Sequence, residues 1–249
     1  MAATKELLAT VALGLLLGSC GHRPGPSPLG EAGPPGTWAR AIVSDSEFTR
    51  LVVTVDYVSG ATPSPAALAL LQQRLSERCR KPAGVTVSIG TEIASPGPGP
   101  YSAEELASLA RTARRLYSSG STLAVYVLYL DSESDDPAGQ ETLGVAFEAT
   151  AFAVFQKAIA SETALIGTSA ENAEAAVLLH EMGHLMGLVD MGAPLETPHE
   201  DANHPLHCVN PSCVMHWDVA AASAGGAVGL AAIDYDDACK ADLQANGGF

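Results

Sequence analysis

The chain has 249 residues, 28 of them Asp or Glu against 13 Lys or Arg, and the resulting formal charge of −15 argues against nucleic acid as a partner. Hydrophobic residues make up 47% and charged residues 16%, enough to bury a core, so one globular domain of ordinary size is expected. The one run apolar enough to consider for a membrane, Leu7 to Leu17, is eleven residues long, well short of the roughly 20 that a spanning helix needs, and no transmembrane helix is expected.

The first segment combines Lys5, the apolar run LLATVALGLLL and then small residues, the layout of a secretory signal peptide. Leu17-Gly18-Ser19-Cys20 resembles the lipobox of bacterial lipoproteins, in which cleavage precedes the Cys and the Cys carries acyl chains. That resemblance implies a signal peptide over residues 1–19, lipidation of Cys20, and export to an outer membrane or cell surface, with the membrane as a partner through the anchor. Several acyl chains hold firmly because each buried methylene contributes about 0.8 kcal/mol. Ten of the sixteen residues from Gly21 to Gly36 are Gly or Pro, so residues 20–37 are expected to form an extended tether, leaving 38–249 as the folded domain.

Leu51 to Val58 alternates and is rich in β-branched residues, the pattern of a strand. Pro65 to Arg80 carries helical spacing, Val85 to Ile93 is a second strand, and Ser102 to Leu116 is a helix opened by a capping box between Ser102 and Glu105. Leu123 to Leu130 is a third strand, and the β-α-β-α-β order implies parallel neighbours joined by crossovers. Two short β-like stretches in Thr142 to Phe155 are expected to form a hairpin or an antiparallel edge. The next helix is expected to start at Thr168, with Glu171 as its reciprocal cap, and to run to about Leu188. A long irregular segment with Pro194, Pro198, Pro205 and Pro211 precedes a final helix over Leu230 to Ala245. The expected fold class is therefore α/β (α+β): a mixed, mainly parallel sheet with crossover helices, a helix carrying the chemistry, and a loop-rich C-terminal part ending in a helix.

His180-Glu181-Met182-Gly183-His184 is an H-E-x-x-H pattern on that helix. Residues four apart share a face, so two imidazoles can bind one zinc while the Glu between them reaches a metal-bound water. Its flanks are apolar, and such polar side chains are costly to bury unless a metal or hydrogen bonds satisfy them. Apart from Cys20, the cysteines are Cys79, Cys208, Cys213 and Cys239, an even number in an exported chain. Pairing of Cys208 with Cys213 and of Cys79 with Cys239 is favoured; free buried thiols are the alternative. Asp131, Glu133, Asp135 and Asp136, and likewise Asp234, Asp236 and Asp237, lack EF-hand spacing and are expected to be solvated acidic loops rather than calcium sites. Met182, Met186 and Met191 are expected to pack. No P-loop, Rossmann glycine pattern or nucleophile elbow is present, so phosphoryl transfer, hydride transfer and serine hydrolysis have no support.

With Gly187 the pattern extends to H-E-x-x-H-x-x-G and resembles the metzincin clan of zinc peptidases, in which that Gly lets the chain leave the helix and bring back a third ligand. Downstream, His207-Cys208, four residues, Cys213, one residue and Met215 resemble the archaemetzincin pattern. The resemblance implies a metzincin-like fold, one catalytic zinc, a Met-turn at Met215 and a peptide or protein substrate. It implies hydrolysis of peptide bonds by a zinc-bound water, with Glu181 as general base. The preferred third ligand is His207, eight residues before Met215 as in the clan, with Asp190, three residues after Gly187, as the alternative. His199 and His204 are outside candidates, each expected to be a solvated loop histidine.

The chain departs from that family in three places. The insertion from Val189 to Leu206 separates Gly187 from His207; the C-x-x-C pair that follows the Met is missing, with Cys239 alone downstream; and His216 and Trp217 follow Met215 where some metzincins carry a Tyr. A second zinc site of four thiolates is therefore not expected, and a Cys208–Cys213 disulfide bracing the Met-turn is. Trp217 offers an indole N–H but cannot titrate. The insertion and the missing Tyr also motivate a different reading, a zinc-containing surface-binding lipoprotein that cleaves nothing; Glu181, which a structural zinc does not require, argues against it.

Overall fold

The structure, a computed structural model, describes residues 31, 33–97, 99–132, 142–166, 169–219 and 229–249. The expected signal peptide and Cys20 lie outside the described residues, as do Glu133, Asp135, Asp136 and Thr168. No helix among the described residues is long and apolar enough to cross a membrane.

Five strands, β1 (Arg50–Val58), β2 (Val85–Ile93), β3 (Thr122–Leu130), β4 (Gly144–Glu148) and β5 (Ala151–Phe155), form one sheet in the order β2-β1-β3-β5-β4. Every neighbouring pair is parallel except β4 with β5, so the Thr142 to Phe155 stretch is the expected hairpin and β4 is an antiparallel edge. β3 is buried from Leu123 to Leu130, as a strand covered on both faces must be. Its two tyrosines keep their hydroxyls satisfied: Tyr126 donates to Asp56 Oδ2 at 2.8 Å and Tyr129 to Glu174 Oε1 at 3.0 Å.

The helices follow their caps. α1 (Ala39–Val43) precedes β1, and α2 (Pro65–Arg78) starts with Pro65 behind Ser64, whose hydroxyl accepts from Ala67 N. α3 (Ala103–Ala113) carries the complete Ser102–Glu105 capping box. α4 (Gln156–Ile166), for which the sequence showed no start signal, follows β5 directly. α5 (Ala170–Leu185) is capped by Ser169, accepting from Asn172 N, one residue later than the expected Thr168. Every residue of α5 from Ala173 to Leu185 is buried, which places it inside the domain and not at its surface.

The segment expected to be irregular contains a hairpin, β6 (Glu200–Asp201) and β7 (His204–Cys208). The expected helix from Leu230 is broken. A short turn of 3-10 helix at Leu230–Ala232 is separated from α6 (Asp237–Ala245), because Asp234 accepts from Tyr235 N at 2.9 Å and Asp236 caps α6 through Cys239 N at 2.9 Å. Asp234 and Asp236 are therefore structural, Asp234 also pairing with Arg78 at 2.6 Å, whereas Asp237 is solvated as expected.

The domain reaches back into the expected tether. Glu31 is 3% exposed, and its Oε2 lies 2.6 Å from Arg114 Nη2, while its other oxygen accepts from Ser118 N. Arg114 is satisfied further by Thr150 Oγ1 at 3.0 Å and the Ala124 carbonyl at 2.9 Å. Removing one member of such a pair strands a buried charge, so Glu31→Ala is expected to lower stability by about 3 kcal/mol in urea unfolding. In the Arg114→Met background the same change is expected to cost much less; equal costs in both backgrounds would show that the pair is not coupled.

Candidate metal centre

The C-terminal half of α5 faces a cleft of about 710 Å³, walled by Gly144, Val145 and Ala146 of β4 on one side and by His204, Pro205, Leu206 and Trp217 on the other. His180 and His184 lie one turn apart, with their Nε2 atoms 3.0 Å from each other. His180 Nδ1 lies 2.7 Å from the Val214 carbonyl, which can only accept, so the proton sits on Nδ1 and the Nε2 lone pair faces the cleft. His207, on β7, brings its ring centroid within 5.2 Å of that of His180 and 5.3 Å of that of His184; its Nδ1 donates to the Pro205 carbonyl at 2.9 Å. Each of the three offers a nitrogen within 4.8 Å of the others.

Burial holds all three imidazoles below their ordinary range, His180 down to about 3 and His184 well below, and the neighbouring imidazoles push the same way. Two neutral rings at 3.0 Å are held either by an Nε2–H donated from His184 to His180 or by a cation between them. His184 Nδ1 is buried with no hydrogen-bond partner among the described residues. Three neutral imidazoles fit zinc and other borderline metals better than hard cations such as calcium.

Glu181 is 5% exposed and lines the cleft beside the histidines. Burial pushes its carboxyl up to about 8, partly offset by a hydrogen bond from the Ala146 amide of β4. The close approach of β4 to α5 depends on Gly144, where a Cβ would come within 2.9 Å of Glu181 Cγ and 2.8 Å of Val177 Cγ1. Beneath the histidines, Met215 packs on Gly183, whose Cβ would meet Met215 Sδ at 2.2 Å. Sequence reasoning missed Gly144, Ala146 and Tyr235, whose hydroxyl donates to the Leu179 carbonyl of α5 at 2.7 Å. All three act through tertiary contacts that leave no local pattern.

Gly187 leaves the helix at φ +81°, where a Cβ would come within 2.5 Å of Ala39 Cβ, and Val189 and Asp190 continue the turn at φ 54° and 64°. That turn leaves Asp190 exposed, and it is His207, not Asp190, that comes together with His180 and His184. His204 is half-buried against Trp217, ring centroids 4.2 Å apart, with Nδ1 2.8 Å from Asp201 Oδ2. His199 is buried against Cys239. Neither is the solvated loop histidine expected.

The two expected disulfides are absent, and Cys79, Cys208, Cys213 and Cys239 are all free. Cys79 Sγ lies 3.8 Å from Met186 Sδ, whereas Cys239 Sγ lies 3.6 Å from Cys213 Sγ, well beyond the roughly 2.05 Å of a disulfide. Closeness in sequence misassigned the pairs, because the fold gathers Cys208, Cys213 and Cys239 at one point with Asp236.

Among solved structures, archaemetzincin from Methanopyrus kandleri matches with a TM-score of 0.50 and 16% identity, over 82% of this chain and 98% of that one. This chain has an archaemetzincin-like fold. A zinc-dependent peptidase from Methanocorpusculum labreanum matches at a TM-score of 0.49 and 14% identity, over 77% of this chain and 99% of that one. No protein-family model and no curated protein matches the sequence.

Because His207 and not Asp190 meets the histidine pair, His207→Ala is expected to weaken zinc binding at least 100-fold in a chelator competition, about 2.7 kcal/mol. Asp190→Ala is expected to leave the affinity unchanged. The reverse ranking would assign the third position to Asp190.

Proposed function

We propose that the chain is a zinc-dependent endopeptidase in which His180, His184 and His207 hold one catalytic zinc and Glu181 is the general base. The observation that carries this reading is the convergence of three neutral imidazoles in an open cleft beside a buried carboxyl that is not one of them. When bound, the metal supplies a Lewis acid that polarises the scissile carbonyl and lowers the pKa of water. Glu181, raised by burial and steadied by the Ala146 amide, is suited to take a proton near neutral pH and pass it to the leaving amine. Among the described residues β4 has a strand neighbour on one side only, so an extended peptide can add to its other edge along the cleft. Val214 fixes the His180 tautomer, and the β6–β7 hairpin carries His207 and forms the opposite wall.

The same reading includes export and anchoring through Cys20, supported by the apolar run and the lipobox-like Leu17 to Cys20. Cys20→Ser is expected to shift the protein from the membrane fraction to the soluble one, and persistent firm attachment would contradict the anchor.

Glu181→Gln keeps side-chain size and removes the base. Zinc content is expected to persist while hydrolysis of a mixed peptide library falls by about 10² to 10⁴. Unchanged hydrolysis would place the activity elsewhere. A wild-type protein that binds zinc and cleaves nothing would favour the surface-binding reading.

A further inference from the structure

The cleft follows β4 toward Thr142 and Leu143 in one direction and stops short in the other. Gly144, Val145 and Ala146 line it, whereas Phe147 and Glu148, the last two residues of that strand, do not. The segment before α1 stands at this end. Pro35 lines the cleft together with Met191 of the insertion, so two pieces of chain that are far apart in sequence meet at its rim.

This segment is pinned at two places. Beyond the end of β4, Glu31 is held by Arg114, by Ser118 N and by Thr150 Oγ1 at 3.4 Å, and Thr150 stands between β4 and β5. At the insertion, Gly36 is pressed on Met191 and Gly192: a Cβ on Gly36 would overlap the Met191 carbonyl oxygen, and one on Gly192 would come within 2.6 Å of the Gly36 carbonyl oxygen. Both glycines sit at positive φ, +81° and +137°, so neither position tolerates a side chain. Only five residue steps separate Glu31 from Gly36, at most about 17 Å of chain, which leaves little slack between the pins. Pro34 and Pro35 stiffen it further by fixing φ, and Thr37 Oγ1 donates to the Pro34 carbonyl at 2.7 Å while Ala39 N donates to the Gly36 carbonyl at 3.0 Å.

We propose that residues 33–36, tied back by Glu31, are a strap that closes the cleft at the Glu148 end of β4, so that a bound peptide extends freely only toward Thr142. The substrate class follows from that closure: oligopeptides and free chain ends enter, and an uninterrupted loop of a folded protein does not. The reacting position lies close to the strap, because the Ala146 amide that reaches Glu181 belongs to the last β4 residue lining the cleft. At about 3.3 Å per residue, roughly two substrate residues fit on the strap side of the scissile bond. A longer chain on that side meets the Pro35–Met191 contact, a steric rejection of the kind that sets specificity against a wrong partner. The inference rests on the peptidase reading for what fills the cleft.

The test measures the affinity of peptide hydroxamates for the full zinc-loaded chain by competition, a readout that needs no turnover. One series carries the hydroxamate at the C-terminus of one to six residues and the other carries it at the N-terminus, so the two grow in opposite directions from the metal. In one series affinity is expected to stop rising after about two residues and to fall at least about tenfold with the next two, while the other series gains throughout. Two full-chain variants release the strap from either pin: Gly36→Ala, and Glu31→Ala combined with Arg114→Met, which strands no buried charge. Each is expected to strengthen binding of the long members of the stalled series at least about fivefold and to leave the shortest member within about twofold. The same length dependence in both series, or a stalled series that neither variant relieves, would overturn the strap and leave the peptidase reading standing. Failure of even the shortest members to bind would overturn both.

Discussion

Three imidazole nitrogens pressed together inside a protein are unfavourable neighbours. Burial holds each of His180, His184 and His207 below its ordinary range, and with Nε2 of His180 and His184 3.0 Å apart the three rings are close enough to share one cation. Much of the surrounding structure serves to hold them there. Val214 fixes the His180 ring from the residue before Met215, Gly183 lets Met215 lie directly beneath the helix, and Gly187 turns the chain out so that it can return as the hairpin bearing His207.

The same constraint explains the position of α5. A helix buried on every side cannot shift without exposing apolar surface, so its two histidines and Glu181 keep a fixed relation to the sheet edge. Glu174 on this helix accepts from Ser64 N at 2.7 Å, Tyr129 at 3.0 Å and Gln156 at 3.1 Å, tying α5 to α2, β3 and α4. Gly144 then lets β4 pass closely enough for the Ala146 amide to reach Glu181. The Glu181 carboxyl is thus oriented by the strand that borders the cleft.

What the sequence made legible follows the range of the forces involved. β1, β2, β3 and the capping box of α3 are written in local patterns of burial and hydrogen bonding, and they appear within a few residues of where periodicity put them. His180, Glu181 and His184 were legible because helical spacing alone puts them on one face. α4 was missed because Gln156 follows β5 with no capping residue, and α6 was drawn too long because Asp234 and Asp236 interrupt the chain with their own side-chain hydrogen bonds. The choice between His207 and Asp190 depended on the turn after Gly187, and the cysteine partners on which distant segments meet. Neither is a local property of the chain.

The most direct test of the account is a crystal structure of the zinc-loaded protein with anomalous diffraction at the zinc edge. The account predicts a peak about 2.0–2.1 Å from Nε2 of His180, His184 and His207, with the Glu181 carboxylate near the ion but outside bonding distance. No peak at that point, or a peak bound by Asp190 or by Glu181 in place of His207, would contradict it.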